Sequence, residues 1–196
     1  MTTDPGTVVI TVPGLRGHVE EHWQTRLAAT TPNVRSVPPL GRDNPSLDER
    51  VVDLHEAIEA ADGPVVLVAH SGGVVTTIHW AARHGESMPG RIRGALLATP
   101  PDLATELPPE YPSLATLAGL GWLPIPLQRL PFPSIVALSS NDTLGDPVRV
   151  RAMAAAWGSR IEEIGPVGHL NPASGYGDWP QAVPLITELC TLEALR

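Results

Sequence analysis

The chain has 196 residues, 42% of them apolar and 17% charged, with a formal net charge of −8 and no lysine. That length suits one domain over 1–196 with a buried core, the composition excludes wholesale disorder, and the acidic balance excludes nucleic-acid binding, which requires clustered Lys and Arg. No apolar run approaches the roughly 18 residues of a bilayer span, and the polar start Met1-Thr2-Thr3-Asp4-Pro5 has no basic-then-apolar leader, so the expected location is the cytoplasm.

Thr7 to Val12 is a β-branched run closed by Pro13-Gly14, which predicts a buried strand ending in a turn. Ser46-Leu47-Asp48-Glu49 is a capping box ahead of Val51, Val52, Leu54 and Ile58, predicting a helix to about Ala61. A strand over Val65 to Ala69 follows, then helical spacing from Val74 to Ala82 and another apolar run from Gly94 to Ala98. The alternation resumes with a strand at Ser134 to Leu138, a helix from Pro147 to about Trp157, a last strand at Ile161 to Ile164, and a helical tail from about Gln181. Such alternation implies an α/β fold, a parallel sheet with helices on both faces. The stretch 99–133 is dense in proline yet rich in Leu and Trp, and reads as an ordered flap rather than a regular element. Cys190, the only cysteine, sits among apolar residues and reads as packing.

Ala69-His70-Ser71-Gly72-Gly73 joins a predicted strand to a predicted helix, the setting of a G-x-S-x-G nucleophile elbow with alanine in the first place. Serine also caps helices, so capping is the competing reading of Ser71. A hydroxyl needs a base to take its proton, and in this architecture the partners follow in the order Ser, acid, His. His79 and His84 fall in or near the helix after the elbow, whereas His169 lies just beyond the last strand, where a loop can return it. Asp142 ends the strand before it; Asp146 precedes Pro147 and reads instead as a helix N-cap. The oxyanion formed in acyl transfer needs preorganised donors, expected from the backbone amides of Gly72 and of Leu15 in the turn after the first strand. His70, Trp122 and Leu144 are expected to border a pocket for an uncharged, partly apolar ester-type substrate. No cofactor is required, and no oligomeric state is indicated.

These residues, with Pro13-Gly14-Leu15, His22-Trp23, Gly94-Ala95-Leu96-Leu97, Leu130-Pro131-Phe132-Pro133-Ser134, Ala155-Ala156-Trp157-Gly158-Ser159 and Gly168-His169-Leu170-Asn171, make the chain resemble a known family over nearly its whole length. It is similar to the single-domain serine hydrolases typified by human retinoblastoma-binding protein nine and its bacterial relatives. The resemblance implies a compact α/β-hydrolase with no large cap domain, a triad at Ser71, Asp142 and His169, and carboxylesterase-like activity. Gly72, and Thr143-Leu144 after the acid, depart from the residues frequent in that family, at positions that border the pocket.

Three other readings compete. The same triad serves a thioesterase or acyltransferase, and a fold of this kind can also serve as a non-catalytic binding protein. His18-Val19-Glu20-Glu21-His22 matches H-x-x-E-H, in which two histidines one helical turn apart hold zinc in a peptidase.

Overall fold

The computed structural model describes residues 6–38 and 46–192. Its sheet has six strands, β1 (Val8–Val12), β2 (Val34–Ser36), β3 (Val65–His70), β4 (Ile92–Ala98), β5 (Ser134–Ser139) and β6 (Arg160–Gly165), in the order β2-β1-β3-β4-β5-β6. Every pairing is parallel. The helices are α1 (Trp23–Thr30), α2 (Leu47–Glu59), α3 (Gly72–His84), α4 (Leu114–Gly119), α5 (Pro147–Trp157) and α6 (Ala182–Thr191).

Alternate residues of each central strand serve opposite faces, as a period of two requires. Val65, Leu67 and Ala69 of β3, with Ala95 and Leu97 of β4 and Val136 and Leu138 of β5, pack under α2, α3 and α5. Val66 and Val68, with Leu96, Ala98, Ile135 and Ala137, pack instead against Trp23 of α1 and Leu185, Ile186 and Leu189 of α6. Burying each such aliphatic side chain contributes about 1.5–3 kcal/mol, so the central strands carry apolar residues on both sides. At the edge, β6 carries Arg160, Glu162 and Glu163, which form ion pairs with one another and with Arg151 and Glu188. Charge there discourages pairing with a further strand.

Helix α5 runs over the predicted residues, with Asp146 as its N-cap: Asp146 Oδ1 accepts from the amides of Val148 and Arg149. Three expectations need correction, and two elements have no counterpart in the sequence reading. The segment 99–133 contains a regular element, α4, whose N-cap Ser113 accepts from the Thr116 amide. Ser46 occupies the N-cap of α2 without a side-chain cap hydrogen bond, so the reciprocal capping box is not formed. Helix α1 and strand β2 go unread in the sequence. Finally, residues 18–22 are not helical, because α1 begins only at Trp23 and His22 is its cap. The chain leaves β1, adds β2 on one side and returns to add β3 on the other, so the order of winding reverses between β1 and β3. In open parallel sheets the crevice at the carboxyl ends of such strands is where ligands bind.

Candidate active site

Ser71 follows β3 in that crevice, with φ 56° and ψ −125°, a conformation an L-residue adopts only when its surroundings impose it. Several contacts impose it. The Ser71 amide donates to the Ala98 carbonyl at the end of β4 (3.1 Å), and α3 starts at once, with Gly73 against the Val12 carbonyl where any Cβ would collide. Glycine is required at that close approach. Although Ser71 is the N-cap residue of α3, its side chain makes no cap hydrogen bond.

The hydroxyl instead faces His169: Ser71 Oγ lies 2.7 Å from Nε2. On the other side of the ring, Nδ1 is 2.8 Å and 3.0 Å from the two oxygens of Asp142. A carboxylate only accepts, so Nδ1 carries the proton and Nε2 is left to accept from the serine. The side chains of Asp142 and His169 are 3% and 5% exposed, which strengthens these bonds by excluding water.

Two loops bring these partners in, and they are fastened together. Asn141 Oδ1 accepts from Ser139 Oγ (3.1 Å) and from the Gly168 amide (2.7 Å), tying the acid's loop to that of the histidine. The His169 amide donates to Ser174 Oγ (3.0 Å), and the His169 carbonyl accepts from His70 Nε2 (2.8 Å). Asn141 and Ser174 go unremarked in the sequence, where only their nearness to Asp142 and His169 hints at them. Asp142 Oδ1 also accepts from the Leu144 amide (2.9 Å).

The Leu15 and Gly72 backbones meet beside Ser71: a Cβ placed on Gly72 would lie 3.2 Å from the Leu15 nitrogen. Two cavities flank this point. The larger, about 110 Å³, has a mixed wall whose polar side chains include those of His22, Gln24, His70, Ser71, His169 and Asn171. The smaller, about 20 Å³, is bounded by Leu103, Leu107, Leu117, Trp122 and Leu144. Ser71, Leu15 and Tyr111 line both. His70, Trp122 and Leu144 thus all border the crevice, on different sides.

The remaining histidines lie apart from the hydroxyl. His79 is buried on α3 with its Nε2 on the Trp122 carbonyl (3.3 Å), while His84 stacks on His55. His18 Nε2 is 3.0 Å from the Val37 carbonyl, and Glu21 is exposed. With residues 18–22 not helical, His18 and His22 do not form the paired ligands of the zinc motif, and among the described residues no three His, Cys, Asp or Glu side chains are placed so that they could hold a metal ion.

His22 Nδ1 accepts from the Gln24 amide, capping α1, and the ring packs 4.6 Å from that of His70. Burial first, then the charges of His169 and His18, push His22 down to about 4, and burial likewise pushes His70 well down. Both rings are therefore neutral in the folded protein at pH 7. Because the folded value lies below the unfolded one, their stabilisation is fully present above about pH 6.5 and is lost as pH falls towards 4. For His22 alone that loss is about 3 kcal/mol. His22→Asn keeps a capping oxygen and removes the titration, so its denaturation midpoint should fall less than that of wild type between pH 6.5 and 4. Equal falls would show that His22 is not the titrating group.

A parallel sheet in this order with a serine elbow after β3 defines an α/β hydrolase. The model of the serine hydrolase family matches residues 9–188, and the chain belongs to that family. It is a hydrolase, and no helix among the described residues is long and apolar enough to cross a membrane. Among solved structures, a protein described as a YdeN-like hydrolase from Pectobacterium atrosepticum is 25% identical, with a TM-score of 0.78 over 94% of this chain and 90% of that one. The ydeN gene product of B. subtilis is 18% identical (TM-score 0.68; 93% and 97% covered). Est1E of Butyrivibrio proteoclasticus, solved with ferulic acid, is 14% identical (TM-score 0.65; 95% and 88% covered). These last two share the fold. No curated protein matches the chain.

Proposed function

We propose that the protein hydrolyses carboxylic esters through an acyl-enzyme intermediate on Ser71. The observation that carries this reading is the unbroken hydrogen-bond chain Asp142–His169–Ser71, ending on a hydroxyl held at a strained elbow. Ser71 Oγ attacks the ester carbonyl carbon while its proton passes to His169 Nε2, and Asp142 stabilises the imidazolium without taking the proton. The carbonyl oxygen, now an anion, is met by the amides of Leu15 and Gly72. Collapse expels the alcohol, protonated from Nε2, and leaves acyl-Ser71. Water, deprotonated by His169, then attacks the acyl carbon and releases the acid.

The same triad cleaves thioesters, and ester and thioester substrates differ here only in the leaving atom. Treatment with a fluorophosphonate, which phosphonylates an activated serine, tests the reading directly: intact mass should show one adduct, mapped to Ser71. Adducts elsewhere, or none, would refute the reading.

The two cavities support a division of the substrate. The apolar side, between Leu103, Leu117, Trp122 and Leu144, takes a short apolar acyl group, and the roomier side, with more polar groups in its wall, takes an uncharged leaving alcohol. Trp122→Leu tests this; leucine keeps part of the apolar volume, whereas truncation to alanine at this buried position would cost about 3–5 kcal/mol. The variant should shift the optimum to longer acyl chains, each methylene newly buried raising kcat/KM by about fourfold, or about 0.8 kcal/mol. An unchanged chain-length profile would take Trp122 out of the acyl site.

A further inference from the structure

Arg50 lies on the buried face of α2, in line with Leu47, Val51, Leu54 and Ile58, and is only 6% exposed. Its Nη1 donates to the Gly14 carbonyl (3.2 Å) and its Nη2 to the Leu15 carbonyl (3.1 Å), and the guanidinium carbon sits 5.7 Å from the centre of the Trp122 ring. Among the described residues no carboxylate forms an ion pair with it; Asp53, on the same helix, is the acidic group whose field reaches it. Burying a guanidinium without a carboxylate is expensive, and water alone satisfies the carbonyls of a half-buried loop. A structural tie does not need this residue.

Peptide geometry converts the tie into aim. The Gly14 carbonyl and the Leu15 amide belong to one trans peptide unit, so C=O and N–H point in opposite directions. The carbonyl is held by Arg50 and by the Gly17 amide (3.0 Å), which closes a turn over Leu15 and Arg16. The amide is thereby turned away from α2, towards the elbow: Gly14 packs against Ser71, where a Cβ would lie 3.4 Å from Oγ. Among the described residues the Leu15 amide donates to no group.

We propose that Arg50 is a positioning residue for the oxyanion hole, fixing the Leu15 amide through the Gly14 carbonyl and setting a fixed positive charge behind the developing oxyanion. It touches no reacting atom. The inference rests on the esterase reading above, and the same charge polarises the Gly14–Leu15 peptide so that its N–H is a stronger donor.

The test compares wild type, Arg50→Met, Arg50→Lys and Ser71→Ala on a short-chain acyl ester, together with rates of fluorophosphonate inactivation. Losing an oxyanion donor outright costs about 100- to 1,000-fold in kcat; a misaimed donor should cost less. Arg50→Met should therefore lower kcat and the inactivation rate by about 10- to 100-fold with KM nearly unchanged, and Arg50→Lys, which keeps the charge but not the fork, should lose about 3- to 10-fold. A merely structural role would lower the melting temperature and leave kcat per folded molecule intact. If Arg50→Met does not fold, the Lys variant and a structure of the wild-type phosphonyl adduct decide: the phosphonyl oxygen should lie about 2.7–3.1 Å from the Leu15 nitrogen with Arg50 still on the Gly14 carbonyl. Wild-type kcat in either folded variant beside an inactive Ser71→Ala, or an oxygen turned from Leu15, overturns the role of Arg50 and leaves the esterase reading standing. An active Ser71→Ala overturns the esterase reading itself.

Discussion

Ser71→Ala should leave a folded protein whose ester turnover is lower by about 10⁴-fold or more, because among the described residues no other hydroxyl or thiol is hydrogen-bonded to His169 Nε2. The hydroxyl makes no helix-cap bond, so its loss removes one hydrogen bond and little else. The measurement is steady-state hydrolysis by the purified variant beside its denaturation curve. Turnover within tenfold of wild type, in a preparation free of wild-type enzyme, would remove Ser71 as the nucleophile.

Asp142→Asn should be almost as damaging, at about 10⁴-fold in kcat, by a different route. An amide in place of the carboxylate can offer its N–H to Nδ1, which then keeps its lone pair and leaves the proton on Nε2. The imidazole can no longer accept from Ser71. Asp146→Ala provides the contrast: removing the cap of α5 should cost about 1 kcal/mol of stability and leave turnover near wild type. The reverse ranking of these two carboxylates, read by kinetics and thermal melts on both variants, would mean that the acid has been misassigned.

Much of the site is legible in the sequence because its residues occupy positions where local chemistry is restrictive. A run of six buried residues, Val65–His70, meets a helix across Ser71, Gly72 and Gly73, and only small residues permit so close a crossing of Val12 and α3. Asp142 and Asp146 separate on the same grounds, since proline at the first helical position marks the second as a cap. What stays hidden lacks such signals. Helix α1 has eight residues, two of them buried, and is capped by a histidine rather than by Ser, Thr, Asp or Asn, so its entry reads as a metal motif. Strand β2 spans three residues, too few for a period to show. Helix α4 lies within a proline-dense tract, although Ser113 at its start is a visible cap. Arg50 does leave a trace: a lone charge on the apolar stripe of α2, which a search for amphipathic pattern passes over as noise.

The backbone of Ser71 has an evolutionary consequence. A residue with a side chain at φ 56° and ψ −125° stores about 1–3 kcal/mol that glycine would not. Variants recovered solely for heat resistance should therefore accumulate glycine at position 71, and lose the hydroxyl with it. Stability and chemistry pull in opposite directions at this one residue, so any directed-evolution campaign on this scaffold has to select for turnover in every round.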